Sequence, residues 1–116
     1  MLDLILLPTA LLLALGLRAA RRGDPRHHGH LMTAAFTLVG IRLALTFPYL
    51  PHAHRSLGLG LLALAAGTIL LGRQALAWRE GRSHRAALPR IHRAAGTFTL
   101  VAAALAAVAW LLRSGF

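Results

Sequence analysis

The sequence predicts an all-α integral membrane protein, a four-helix transmembrane bundle that forms a single domain over residues 1–116. The chain is 57% hydrophobic and has only three acidic residues, whereas a water-soluble domain spreads charge along its length. Four apolar runs are each near the ~20 residues that a helix needs to cross ~30 Å of hydrocarbon. They cover residues 2–17, 31–50, 56–72 and 94–112.

The first run is expected to be a membrane helix rather than a secretory signal. A signal carries positive charge before its apolar segment, but here the acidic Asp3 stands at the start of the run and arginines follow it. Arginines concentrate after the first and third runs, which predicts that these two connections face the cytoplasm. The protein is therefore expected in a bacterial inner (plasma) membrane, with both termini on the side away from the cytoplasm.

Charge and cysteine content exclude several classes of partner and site. The net charge is +10, and every basic residue is an arginine close to an apolar run. Membrane topology and anionic headgroups account for this charge, so the bilayer is the expected partner and nucleic acid is not. The chain has no cysteine, which removes disulfides, covalent haem attachment and thiolate metal sites. Any metal or haem must therefore be held by histidine or by weaker ligands.

A short similarity links the second and fourth runs. HLMTAAFTLV begins at His30 and HRAAGTFTLV begins at His92, so a shift of 62 residues (92 − 30) superposes both histidines and the letters FTLV. This pattern predicts a duplicated helical hairpin with the two histidines at equal depth. Two facing imidazoles suit the axial positions of a b-type haem or half of a metal site. The alternative is that both are interfacial histidines without a ligand.

The other histidines form two clusters, one at each end of the predicted bundle. His27, His28 and His84 join His30 and His92 at the cytoplasmic end, where His28 and His84 are further candidate cofactor ligands. On the outer turn, His52 and His54 are candidate metal ligands, because imidazole suits copper, zinc, iron and nickel.

Arg42 is the one charge inside a predicted span. A charge in hydrocarbon costs ~2.5–3.5 kcal/mol on insertion scales and is usually functional or turned to a polar escape. Arg42 therefore either extends its side chain to the outer surface or binds a buried anion, such as a haem propionate or a lipid phosphate. It lies about 18 Å along the helix from His30, which is far for a shared haem.

Three segments resemble the CtaM-type small membrane proteins linked to maturation of haem-copper terminal oxidases. They are HHGHLMTAAF, which enters the second helix, PYLPHAHRSLG at the outer turn, and WREGRSHRAAL or RIHRAAG before the fourth helix. The resemblance implies a four-helix fold and a role in oxidase assembly. The matching positions are His28 with Met32, Tyr49 with His52, His54, and either His84-Arg85 or His92-Arg93.

The sequence leaves two functions open. The first is a protein that binds haem b or copper, in assembly of a respiratory haem-copper oxidase or as a small b-type cytochrome, with redox activity only if haem is bound. The second is a cofactor-free accessory subunit of a larger membrane complex. A transporter is disfavoured because no carboxylate lies in the interior of a span, since Asp3, Asp24 and Glu80 are at helix ends or in loops. A hydrolytic enzyme is disfavoured because the spans contain no pair of carboxylates for general acid-base catalysis. The four helices form either a complete bundle or half of a homodimer.

Overall fold

The computed structural model describes residues 4–81 and 87–114, and these ranges contain helices and no strand. This confirms the all-α class. The helices are arranged along principal axes of 48 × 25 × 20 Å. They are α1 (Leu6–Arg21), α2 (Pro25–Thr46), α3 (His52–Arg79) and α4 (Leu88–Ser114), with a short 3-10 helix, Phe47–Tyr49, between α2 and α3.

The second helix begins at Pro25, six residues before the predicted start of the span at residue 31. Gly23 turns the chain with a φ of +75°, which is readily accessible to glycine. The side chain of Asp24 then accepts the backbone N–H of His27 at 3.1 Å. An aspartate N-cap followed by proline is a strong helix start. The histidines that follow Asp24 therefore lie on α2 and not in a loop.

The third and fourth helices are also longer than the predicted spans. α3 runs from His52 to Arg79, whereas the apolar run ended at residue 72. α4 begins at Leu88, six residues before the predicted start at residue 94. Hydropathy marks only the part of a helix that lies in hydrocarbon, and arginine is a good helix former outside it. As a result, His92 lies on α4.

The helices pack in chain order, with α1 against α2, α2 against α3, and α3 against α4. A small core holds the middle of the bundle together. Its buried residues are Met32, Phe36 and Ala65, and the partly buried Leu13, Val39 and Ile69 pack around them. Because α2 and α4 do not pack closely along the described residues, space remains between them near the ends that carry the arginines.

Most of the apolar surface faces outward, which identifies lipid as the surrounding medium. Leucine side chains at positions such as Leu7, Leu11, Leu105 and Leu112 are between 58% and 70% exposed. Apolar surface of this extent is not stable against water. Helices α2, α3 and α4 are long and apolar enough to cross a membrane. The 16 residues of α1 span only about 24 Å, less than the ~30 Å of hydrocarbon.

The letters shared by the second and fourth helices do not occupy equivalent positions. Phe36 is buried at 8% exposure, but Phe98, its counterpart in the 62-residue shift, is 65% exposed. Likewise Thr37 is exposed and Thr99 is buried at 1% exposure. The letters shared in the 62-residue register therefore lie on different faces of the two helices, and the predicted duplication stays a prediction.

A different register relates the two helices through burial. A shift of 64 residues superposes His28 on His92 (92 − 28 = 64) and Ala35 on Thr99 (99 − 35 = 64). Ala35 and Thr99 are the most buried residues of their helices, at 0% and 1% exposure. The burial pattern, and not the shared letters, therefore indicates which positions of α2 and α4 correspond.

Candidate functional site

His28 lies in the first turn of α2 on the face that carries the core. Met32 and Phe36 follow it at four-residue intervals, and residues four apart share a helix face. The Nδ1 atom of the His28 ring lies 2.8 Å from the carbonyl oxygen of Gly16 in α1. Because a carbonyl only accepts, Nδ1 donates its proton. The neutral ring then presents an unprotonated Nε2, the form that binds metals.

His92 is held in the same way in the second helical hairpin. Its Nδ1 lies 2.9 Å from the carbonyl oxygen of Thr68 in α3, so Nδ1 again donates and Nε2 carries the lone pair. The Thr68 hydroxyl is also 3.0 Å from the hydroxyl of Thr99, which is buried against α3. The hydrogen bonds from His92 and Thr99 therefore fix α4 against α3 beside the histidine.

Gly72 makes room for the His92 ring. A Cβ atom at this position would lie 2.7 Å from Cε1 of His92 and 3.2 Å from its Nδ1. Contacts below 3.0 Å require one of the two groups to move. The absence of a side chain at position 72 is thus the condition for the observed ring position.

The His28 and His92 rings face each other at the arginine-rich end of the bundle. Their centroids are 6.2 Å apart and their planes make an angle of 76°. Metal–nitrogen bonds of about 2.0 Å and a ring radius of about 1.15 Å, from ring bonds near 1.35 Å, put two imidazoles on opposite sides of one metal about 6.3 Å apart. The observed centroid separation matches this distance, and the two rings themselves meet edge to face.

Neither ring uses its Nε2 for a hydrogen bond within residues 4–81 and 87–114. Hydrogen bonding of the second ring nitrogen to a backbone carbonyl is the usual support of a metal-ligating histidine, since it fixes the tautomer and the ring orientation. Both histidines therefore have the backbone hydrogen bond that is typical of metal-ligating histidines.

A cavity of about 1070 Å³ surrounds the pair. This volume is slightly above the ~300–1,000 Å³ range of small-molecule sites. Its deeper wall is apolar and includes Met32, Phe36, Ala65 and Ile69. Gly72 and Gly96 line the wall formed by α3 and α4. The cavity is thus much larger than a bare metal ion requires.

The rim of the cavity is strongly basic. Five arginines line the cavity together with three histidines, and no carboxylate is among its lining residues in the described part of the chain. Guanidinium groups bind carboxylates through two parallel hydrogen bonds. The rim is therefore suited to the carboxylates of an otherwise apolar ligand. The five are Arg21, Arg26, Arg73, Arg79 and Arg93.

One ion pair connects the two helical hairpins at this rim. Arg26 of α2 lies 2.6 Å from the carboxylate of Glu80, which directly follows α3. The Arg26 side chain is 71% exposed and that of Glu80 is 29% exposed. An exposed pair of this kind contributes ~0–1 kcal/mol, so it restricts the hairpin ends more than it stabilises the fold.

The structure places His28, and not His30, opposite His92, and the predicted role of His30 as a cofactor ligand stays a prediction. His30 is exposed, although it borders the cavity. It lies two residues from His28, and positions two apart on a helix point in nearly opposite directions. Since the core face contains His28, the facing pair is His28 with His92.

The outer end of the bundle does not join this cavity. Arg42 lies over the ring of Trp110, with 4.9 Å between its guanidinium carbon and the ring centroid. It is about 21 Å along α2 from His28 and does not line the cavity. The structure therefore places Arg42 away from the candidate cofactor site and in a cation–π contact.

His52 and His54 form no complete metal site in the described residues. His52 is exposed at the start of α3. The Nε2 of His54 lies 2.6 Å from a guanidinium nitrogen of Arg113, and a cation in that position competes with a metal ion. No group of three or more metal-ligating side chains occurs within residues 4–81 and 87–114. The metal prediction for this pair stays a prediction, and His84 lies outside the described residues.

Sequence reasoning missed the groups that hold the two histidines. The carbonyl groups of Gly16 and Thr68 are backbone atoms, and sequence patterns carry no information about them. The Asp24-Pro25 helix start was available as a signal, and it would have placed His28 on a helix, where its spacing from Met32 and Phe36 indicates the core face.

Comparison with known proteins identifies no relative. The sequence matches no protein-family model, and no curated protein or solved structure is significantly similar to it. The resemblance to the CtaM-type proteins therefore stays a prediction, and the functional argument depends on the site itself.

Proposed function

We propose that this chain is a membrane haem protein that binds one haem b between His28 and His92, as a small b-type cytochrome does. The observation that carries the proposal is the facing pair of rings, 6.2 Å apart, each with Nδ1 hydrogen-bonded to a carbonyl of the neighbouring helix. Two such ligands come from the two helical hairpins, so binding would also fix the hairpins relative to each other.

The residues around the pair fit haem b better than a bare metal ion. Haem b has a wide apolar macrocycle and two carboxylates on one edge. The cavity has an apolar wall and a volume of about 1070 Å³, with arginines only at its rim. Arg73 and Arg93 are the candidates for the carboxylates, because both line the cavity next to Gly72 and His92. Arg26 already has Glu80 as a partner.

The two-histidine arrangement favours electron transfer over catalysis. Held by two histidines, a haem would have no open position for oxygen or a substrate and would supply reversible one-electron chemistry. His28 and His92 would hold the group, the carbonyl groups that they contact would fix the ring orientation, and the apolar wall with Met32 and Phe36 would exclude water.

The proposed setting is the bacterial inner membrane with the histidine cavity at the cytoplasmic side. The arginines at this end support that orientation through the positive-inside rule. The CtaM-type resemblance supports a respiratory haem-copper oxidase as partner. On this view the exposed apolar faces of the helices contact lipid or a neighbouring membrane subunit.

The test is the cofactor content of the purified full chain in detergent. We expect one haem per chain, with a Soret band typical of a six-coordinate iron, after expression with adequate haem supply. The control is His30→Ala, because His30 borders the same cavity but does not face His92. We expect this variant to keep the wild-type spectrum and haem content.

Two results would contradict the proposal. Copper bound at one ion per chain without haem would assign the pair to copper, which two facing imidazoles also suit. A preparation that binds neither group, and co-purifies with a stoichiometric membrane partner, would favour the accessory subunit. Elemental analysis for iron and copper on the same sample separates these outcomes.

A further inference from the structure

A second cavity, of about 220 Å³, lies along the α1–α2 hairpin and shares no lining residue with the histidine cavity. On α1 its lining residues are spaced at three- and four-residue intervals and therefore form one helix face. On α2 its two lining residues are four apart. The lining consists of Leu15, Arg18 and Ala19 of α1, Arg22 directly after α1, Asp24 of the turn, and His27 and Leu31 of α2.

The polarity of this second cavity changes along the helix axis. Arg22, Asp24 and His27 line the end next to the turn, and Leu15 and Leu31 line the end toward the middle of the bilayer. Leu15 and Arg22 are about 10 Å apart along α1. The site therefore changes from charged to apolar over the depth at which a phospholipid changes from headgroup to acyl chain.

The charged end of the cavity is positive. Arg18 and Arg22 are exposed, and no ion pair involves either of them within residues 4–81 and 87–114. Asp24 is occupied as the N-cap of α2, where it accepts the His27 N–H. The N-terminus of α2 adds the partial positive charge of the helix dipole. Two guanidinium groups beside a helix start are suited to a phosphate.

We infer that this second cavity binds the phosphate of one anionic phospholipid, with Arg18 and Arg22 on the phosphate and with Leu15 and Leu31 against the start of an acyl chain. The site does not involve His28 or His92, so it stands or falls independently of haem binding. Arginine side chains near the headgroups attract anionic lipid. The leucines provide an apolar contact for an acyl chain, which a free phosphate ion lacks.

The experiment is mass spectrometry of the intact full chain released from detergent micelles, with phosphatidylglycerol or phosphatidylcholine added. We expect one phosphatidylglycerol to be retained per chain and phosphatidylcholine to be retained less. Arg18→Gln and Arg22→Gln should each weaken retention about fivefold, because each guanidinium contributes about 1 kcal/mol. The matched control is Arg90→Gln, since Arg90 is exposed near the same end and lines neither cavity.

Three results would overturn the inference. The first is wild-type retention in both Arg18→Gln and Arg22→Gln. The second is an equal loss in Arg90→Gln, which would indicate general charge attraction. The third is full displacement of the lipid by millimolar inorganic phosphate, which would show a free-anion site. Arg18→Lys and Arg22→Lys, checked by circular dichroism, keep the charge and are expected to retain more lipid than the glutamine variants.

Discussion

The two helical hairpins hold their histidines with the same hydrogen bond but with different amounts of free space. In α1–α2, His28 donates to the Gly16 carbonyl, and the group nearest to Gly16 is the flexible end of Met32, with Cε 3.1 Å from a Cβ built at Gly16. In α3–α4, the His92 ring itself lies against Gly72. The His92 ring is therefore fixed by its contact with Gly72, whereas the flexible Met32 side chain next to His28 can adjust.

The largest expected effect is that of Gly72→Ala. The added Cβ would lie 2.7 Å from the His92 ring, so the ring must move away from its partner. Overpacking of this kind costs ~1–3 kcal/mol, which corresponds to a loss of haem affinity of about fivefold to about 150-fold. Haem titration followed by absorbance measures it.

The control for Gly72→Ala is Gly67→Ala on the same helix, where an added Cβ meets nothing within 4 Å. This variant is expected to bind haem as the wild type does. Equal haem affinity in Gly72→Ala and Gly67→Ala would show that the position of the His92 ring does not depend on Gly72.

A smaller effect is expected for Gly16→Ala in the first hairpin. The methyl group meets the flexible end of Met32 at 3.1 Å, and the Gly16 carbonyl that holds His28 remains. The helix gains ~0.5–1 kcal/mol from alanine, which offsets part of the crowding. Haem affinity should fall by less than about threefold, under 1 kcal/mol. A loss as large as that of Gly72→Ala would contradict the difference between the hairpins.

Thr99→Val is expected to reduce stability and leave the spectrum unchanged. It removes the 3.0 Å hydrogen bond to the Thr68 hydroxyl but not the Thr68 carbonyl that holds His92. Such bonds between membrane helices contribute ~0.6 kcal/mol on average. Unfolding of the haem-loaded protein in a series of detergent mixtures measures the loss. A changed Soret band would instead mean that the threonine pair controls the orientation of His92.

The smallest effect is expected for Glu80→Gln, which removes the ion pair with Arg26 between the hairpins. An exposed pair contributes ~0–1 kcal/mol and is weakened by salt. Stability measured at low and high salt should show a difference between wild type and variant only at low salt. A loss well above 1 kcal/mol would mean that this pair, and not the histidine site, holds the hairpins together.

Much of the fold was predictable because hydropathy identifies helices in hydrocarbon. The all-α class and the bundle followed from four apolar runs, and residues 4–81 and 87–114 contain four α-helices. The helix ends were less predictable, since the arginine-rich segments are helical although they are not apolar. The start of α2 at Pro25 shows this, because its signal is the Asp24 cap and not a change in hydropathy.

The candidate site was predictable in part. The sequence singled out His92 and favoured His30 as its partner, because matching letters were given more weight than the helix face. Four-residue spacing from the buried Met32 and Phe36 leads to His28 instead. Arg42 was expected to lie far from His30 along the helix, and the structure keeps it away from the cavity. The carbonyl partners depend on how neighbouring helices pack, which one sequence does not determine.

The central claim is that His28 and His92 bind opposite sides of one iron. Absorption spectra of His28→Gly and His92→Gly, titrated with free imidazole, test it most directly. Each variant should lose the six-coordinate spectrum and recover it when imidazole occupies the space of the missing ring. The claim would be contradicted if either variant kept the six-coordinate spectrum without imidazole.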